Sequence, residues 1–342
     1  MVLLVLLGLV VGLGAGLVAL AGSWLRAPEP VAAPVCRAEV ADPDGGDPLR
    51  AELSPERTAN AALVVGLAHR RGLPARAATI GIATAIQESG LVNIDYGDRD
   101  SLGLFQQRPS QGWGTPEQVQ DPVYATTAFY DALVEVDGYA GLEITDAAQR
   151  VQRSGFPEAY ADHEAEGRAL ASSLYGLSPA SLVCRLPPVD RTGSGSDSGN
   201  GNGNDSGSST VPGTPQDSAA AVVSELDTWA AGGWTASPVT SISAGTEGTE
   251  GNQGNEGETE DGPQDAVVVL DASAAAEPAR TAWALAHSAV ALAQAHGVVR
   301  VEVAGQVWDR AEPDLGWQPV ATPSGTPGQD GPGDGLVRVV TG

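Results

Sequence analysis

The apolar positions of this chain are spaced for helices in its first half and for a mixture of helices and strands in its second. Met1 to Leu25 carries no charged side chain and is mostly Val, Leu, Gly and Ala, long enough to span a bilayer. A Pro- and Asp-rich stretch follows and reads as a short stalk. Ser54-Pro55-Glu56-Arg57 then offers an N-cap and a first-turn proline, so a helix is predicted through Leu63, Val64 and Leu67 to Arg71-Gly72. The next run, Ala77 to Gln87, is apolar on almost every side and predicts a buried helix. Beyond an Asp- and Gly-rich loop over 90–114, helices are predicted over 116–140, 146–151 and 157–174. Period-two alternation is almost absent before Cys184, so this part reads as mainly α.

Residues 190–216 are chiefly Gly, Ser, Asn and Asp, the composition of a flexible linker. After them come a predicted helix over 219–231, a strand over 266–270, a helix over 277–296 and strands over 298–303 and 336–340. Together these form a small α/β pattern. An acidic low-complexity insert over 245–264 is expected to be disordered. The resulting division is 1–26 anchor or signal, 27–53 stalk, 54–186 first domain, 187–216 linker and 217–342 second domain.

Charge narrows the choice of partners. The chain has 43 acidic residues against 18 basic ones, a formal net charge of −25. With no basic stripe to neutralise phosphates, nucleic acid is not an expected partner. The first 26 residues favour an uncleaved membrane anchor, because the apolar stretch is long for a signal peptide and no Lys or Arg precedes it. A signal peptide cut near Ala19-Leu20-Ala21 is the alternative. Cys36 and Cys184, the only cysteines, bracket the first domain and read as a disulfide clasp, placing the chain in an oxidising, extracytoplasmic compartment. Closing so long a loop is worth about 5 kcal/mol in the chain-entropy model. Two thiols are too few for a typical structural zinc site, and no metal or cofactor is expected.

The candidate chemistry centres on Glu88. A carboxylate in the last turn of an apolar helix is poorly solvated and sits at the negative end of the helix dipole. Both effects favour the protonated form, as a general acid near neutral pH requires. A short loop separates it from Gly103-Leu104-Phe105-Gln106. At Glu88-Ser89 and Gly103 to Gln106 the chain resembles the lysozyme-like glycan-cleaving domain shared by soluble lytic transglycosylases and goose-type lysozymes, with Phe105 where that family's turn has Met. A looser likeness lies in Tyr124 to Tyr130.

The resemblance implies a lysozyme-like fold for the first domain. It also implies cleavage of the β-1,4 bond between N-acetylmuramic acid and N-acetylglucosamine in peptidoglycan, with Glu88 as the acid. Ser89 is expected to orient Glu88, to hold the loop, or to bond its own helix backbone. Gln106 is expected to bind the substrate's polar groups. Tyr130 is expected to wall the cleft or to be a core aromatic. Gly97-Asp98-Arg99 resembles a loop of the lysozyme branch, making Asp98 the leading second carboxylate; Asp95 and Asp100 compete, and turn chemistry explains all three equally well. The family's later Tyr-Asn motif is missing, and Gln152 or Tyr160 is expected to supply its polar contact. Trp113 is a sugar-stacking or core residue.

His287 and His296 have no metal-binding spacing, so the second domain is expected to be a binding or spacer module. The competing function is a catalytically weak wall-binding scaffold that keeps the cleft.

Overall fold

The computed structural model describes residues 33–191, 209–211, 213–230, 232–243, 264–320 and 335–342. The predicted anchor over 1–26, the centre of the linker and the acidic insert up to residue 263 lie outside the described residues. Within 34–342 the chain forms one compact unit with two lobes.

The first lobe opens with a hairpin, β1 (Val35–Val40) and β2 (Leu49–Leu53), where a stalk was expected. Cys36, Ala38 and Val40 point inward while Arg37 and Glu39 point out, the alternation of a half-buried strand. The helices α1 (Pro55–Arg70) and α2 (Ala75–Ser89) follow. Ser54 caps α1 by accepting from the Arg57 amide, with Pro55 in the first turn, as the sequence predicts. α2 ends at Gly90, whose φ of 66° is left-handed and suits glycine. Then come α3 (Pro116–Gln120), α4 (Pro122–Val134), α5 (Ile144–Gln152), a 3-10 turn at Ala159–His163 and α6 (Glu164–Leu174). Asp121 and Pro122 divide the single helix expected over 116–140, Asp121 capping α4 through the Val123 and Tyr124 amides. α1, α5, α6 and the 3-10 turn surround α2.

β3 (Leu182–Arg185) returns to pair antiparallel with β1, so that Cys36 lies opposite Cys184, and the two form a disulfide. The Glu39 amide bonds the Ser181 carbonyl, so positions 181, 183 and 185 face β1 and positions 182 and 184 face outward. The cysteines therefore occupy a non-hydrogen-bonded pair, where side chains come closest.

The second lobe contains β4 (Val189–Asp190), β5 (Ser209–Thr210), α7 (Pro215–Trp229), β6 (Thr235–Ala236), β7 (Thr240–Ser243), β8 (Gln264–Asp271), α8 (Pro278–Ala291), α9 (Ala293–His296), β9 (Val298–Val303), β10 (Gln306–Asp309), β11 (Trp317–Pro319) and β12 (Leu336–Thr341). Its sheet runs β11-β10-β9-β12-β8-β6, with β7 also on β8, and every pairing in it is antiparallel. α7 and α8 pack on this sheet.

These sheets overturn the expectation of a mainly α chain with a small α/β domain on a disordered linker. A three-stranded sheet closes the helical lobe, and a seven-stranded sheet builds the second. The strands that escaped the sequence reading are short, two to six residues, and too brief for a period-two signal to separate from loop composition.

The lobes share one hydrophobic core. α8 packs against the sheet on one side and against α1 and α6 on the other, so Thr281 to Ala291 are all buried. The outward edge of β3 is sealed by two indoles: Trp317 Nε1 donates to the Leu182 carbonyl at 2.8 Å and Trp308 Nε1 to the Cys184 carbonyl at 3.3 Å. Covering an edge strand in this way removes a free pairing template.

Candidate active site

Glu88 lies in the last turn of α2, half-buried. Its helix places Ala77 to Ala85 in the core, so the chain delivers the carboxylate to the rim of an apolar mass. Tyr160, from the 3-10 turn, donates its hydroxyl to Glu88 Oε1 at 2.7 Å. Burial pushes the Glu88 carboxyl above the usual carboxylate range, opposed by hydrogen bonds from Tyr160 and Gln152. The helix dipole, negative at this end, adds in the same direction as burial. Tyr160 is itself buried, and its phenol is pushed up by burial and by the adjacent Glu88. It thus stays a donor across the physiological range.

The Gly103 to Gln106 turn is fastened to α2 from several directions. Ser89 Oγ lies 2.8 Å from the Leu104 carbonyl and 3.1 Å from the Ala85 carbonyl, so the loop-holding and helix-bonding roles expected of it coexist. Gln152 donates Nε2 to the Phe105 carbonyl at 2.8 Å. Phe105 is buried and stacks on Phe129 with centroids 4.6 Å apart. Gly103 has φ 76°, and a Cβ there would stand 2.3 Å from the Val119 carbonyl oxygen. Only glycine satisfies both constraints.

The other sequence-predicted residues divide sharply. Gln106 turns back on its own loop: Nε2 bonds the Gly103 carbonyl at 3.2 Å and the Tyr96 carbonyl at 3.3 Å. It serves as a loop clasp, and a Cβ on Gly97 would stand 2.0 Å from Gln106 Oε1. Tyr130 is fully buried and donates to the Val64 carbonyl at 3.0 Å; of its two expected roles it takes the core one, and it walls no cleft. Asp98 projects into solvent with its side chain 89% exposed, paired only with its neighbour Arg99 at 3.9 Å. No hydrogen bond or ion pair joins it to Glu88 or Tyr160 among the described residues. Asp100 accepts from Arg108 Nε and the Ser110 amide, each at 2.8 Å, which hold its carboxyl far below the usual range. That is turn chemistry.

A polar cleft of about 750 Å³ is lined by Gln111, Trp113, Glu135, Arg150, Gln152 and Arg153 among others. Gln152 belongs both to the cleft and to the surroundings of Glu88. Of these residues the sequence singled out only Trp113 and Gln152. The two arginines had a signal available, since they are basic residues in a chain dominated by acid. Among the described residues no group of His, Cys, Asp and Glu could hold a metal ion. The chain matches no protein-family model and no curated protein.

Proposed function

We propose that this protein cleaves the β-1,4 bond between N-acetylmuramic acid and N-acetylglucosamine in peptidoglycan, with Glu88 as general acid. The observation that carries the reading is the desolvated Glu88 carboxyl, held by Tyr160 beside the Gly103 to Gln106 turn. Its resemblance to the lysozyme-like glycan-cleaving family rests on Glu88-Ser89 and the Gly103 to Gln106 turn. With its carboxyl raised by burial, Glu88 in its acid form delivers its proton to the glycosidic oxygen as positive charge develops on the departing sugar. It then faces that charge as a carboxylate, with Tyr160 donating to one oxygen.

The groups acting on Glu88 are Tyr160 and Gln152, not a carboxylate. This favours the transglycosylase branch, in which Glu88 next accepts a proton from the muramic 6-hydroxyl and that oxygen closes an anhydro ring. The disulfide supports an extracytoplasmic site of action, with residues 1–26 as the anchor.

The test is digestion of purified peptidoglycan by the full chain and its Glu88→Gln variant, with products resolved by mass. Anhydro-ended muropeptides that vanish in the variant are expected. Reducing-ended products would move the reaction to hydrolysis. Products absent from both, with retained binding to the polymer, would leave the wall-binding scaffold instead.

A further inference from the structure

The described arginines are almost all engaged. Most pair with a carboxylate, as Arg37 does with Glu52 and Arg108 with Asp100, or bond carbonyl oxygens, as Arg70, Arg191 and Arg310 do. Arg57, Arg150 and Arg153 are the described exceptions. Two of these three line the cleft that shares Gln152 with the surroundings of Glu88, and both are exposed.

Their guanidinium groups are placed to meet something negative. Arg150 lies in the last turn of α5 and Arg153 is its C-cap, one helical turn apart, where like charges repel. In a chain of net charge −25 neither has an acidic partner among the described residues. The helix dipole favours a cation there by at least as much as their mutual repulsion costs. The same cleft offers the indole of Trp113 and the amides of Gln111 and Gln152. An aromatic face with amide groups suits a sugar ring, and unpaired guanidinium forks suit a carboxylate. Glu135, the C-cap of α4, lines the cleft too and repels an acid placed against it, directing that acid toward the α5 end.

We propose that this cleft binds the carboxylate-bearing muramyl unit of a glycan, the sugar against Trp113 and the acid of its lactyl-peptide arm on Arg150 and Arg153. The assignment deepens the proposed function by naming what the enzyme recognises next to the scissile bond, and it rests on that reading only for the source of the carboxylate. Binding needs no turnover. The two claims therefore fail separately.

The experiment is calorimetry on the full chain with N-acetylmuramyl dipeptide, the same compound with its carboxylates amidated, and a glucuronate-containing disaccharide. The dipeptide has no scissile glycosidic bond, so its binding is independent of cleavage. The dipeptide is expected to bind at least tenfold tighter than its amide, and the difference is expected to shrink with added salt. The double variant Arg150→Gln/Arg153→Gln is expected to bind both compounds at the level of the amide. Retained affinity for the amidated compound in that variant shows an intact cleft. Equal binding of dipeptide and amide, or no effect of the double variant, overturns the proposal. Arginine-dependent binding of the glucuronate disaccharide alone also overturns it, by assigning the cleft to a different acidic sugar.

Discussion

α2 and α8 are two helices of nearly the same kind, each apolar almost all round, each carrying one titratable side chain besides an arginine in its first turn. In α2 that group is Glu88, at the end, where the helix meets Tyr160. In α8 it is His287, midway along and fully buried between the lobes, its Nδ1 2.7 Å from the Ser173 carbonyl and its ring against Trp283 and Trp317. Burial acts on both by the same rule, favouring the neutral form. It pushes the Glu88 carboxyl up and the His287 imidazole down to about 4. What separates chemistry from structure is position along the helix. A group at the open end can exchange its proton with a substrate, and one sealed in the middle can only make the lobes' union sensitive to pH.

The largest expected effect lies on the α2 side. Glu88→Gln should lower glycan cleavage by about a thousandfold or more, within the range for a lost general acid. Stability should move the other way. A carboxyl raised on folding contributes most below its unfolded value of 4.5 and loses that contribution as pH rises through its folded value. The variant should therefore melt higher than wild type at pH 8 and together with it at pH 4. Equal melting at both would mean that Glu88 is not desolvated.

The α8 side breaks at its docking point. Gly176 has φ 76°, and a Cβ there would lie 2.0 Å from the Arg280 carbonyl oxygen. Gly176→Ala should cost about 3 kcal/mol from left-handed strain plus overpacking, read by urea unfolding. A single shared transition, weakened as a whole, is expected from the common core. Two separated transitions would show lobes that fold alone.

His287 sharpens the contrast through pH. Its folded value of about 4 lies below the unfolded 6.5, so its contribution is complete above 6.5 and is lost as pH falls toward 4. The loss amounts to about 3 kcal/mol. His69, stacked on Tyr175 and likewise lowered to about 4, steepens the same window. His287→Asn, whose amide can still donate near the Nδ1 position, should flatten urea midpoints between pH 6.5 and 4. An unchanged slope would place the titration elsewhere.

The smallest effect is expected at Tyr160. Tyr160→Phe removes a hydrogen bond that lowers the Glu88 value, so the alkaline limb of kcat should shift upward while activity falls about tenfold, the scale of one hydrogen bond to a charged group. A fall in activity with no shift of that limb would make Tyr160 a packing residue only.

Much of the site was legible because it is local. The Ala77 to Gln87 run announces a buried helix, Glu88 stands out at its end, and the turn at Gly103 to Gln106 is short and constrained. Of the residues expected to line the cleft, Tyr130 and Tyr160 look equally plausible in sequence. Only the packing decides between them, sending one hydroxyl to the Val64 carbonyl and the other to Glu88. Asp98 had the composition of a catalytic loop but lies in solvent, because loop residues owe their direction to contacts that local pattern does not encode. The hairpin over 35–53 and the indole-covered edge of β3 were illegible for a related reason. The hairpin strands are too short for a period-two signal, and the partners of β3 lie far away in sequence.

The sequence by itself determined the long helices, the cysteine pair as a clasp, the acidic character and the identity of the one carboxylate worth following. Those features depend on spacing and composition along a few turns of chain. Only the tertiary structure decided that the two halves form a single body, which tyrosine serves Glu88, and that two unpaired arginines face the same cleft. Desolvation and pairing are properties of what surrounds a group, and those surroundings exist only after distant segments have met.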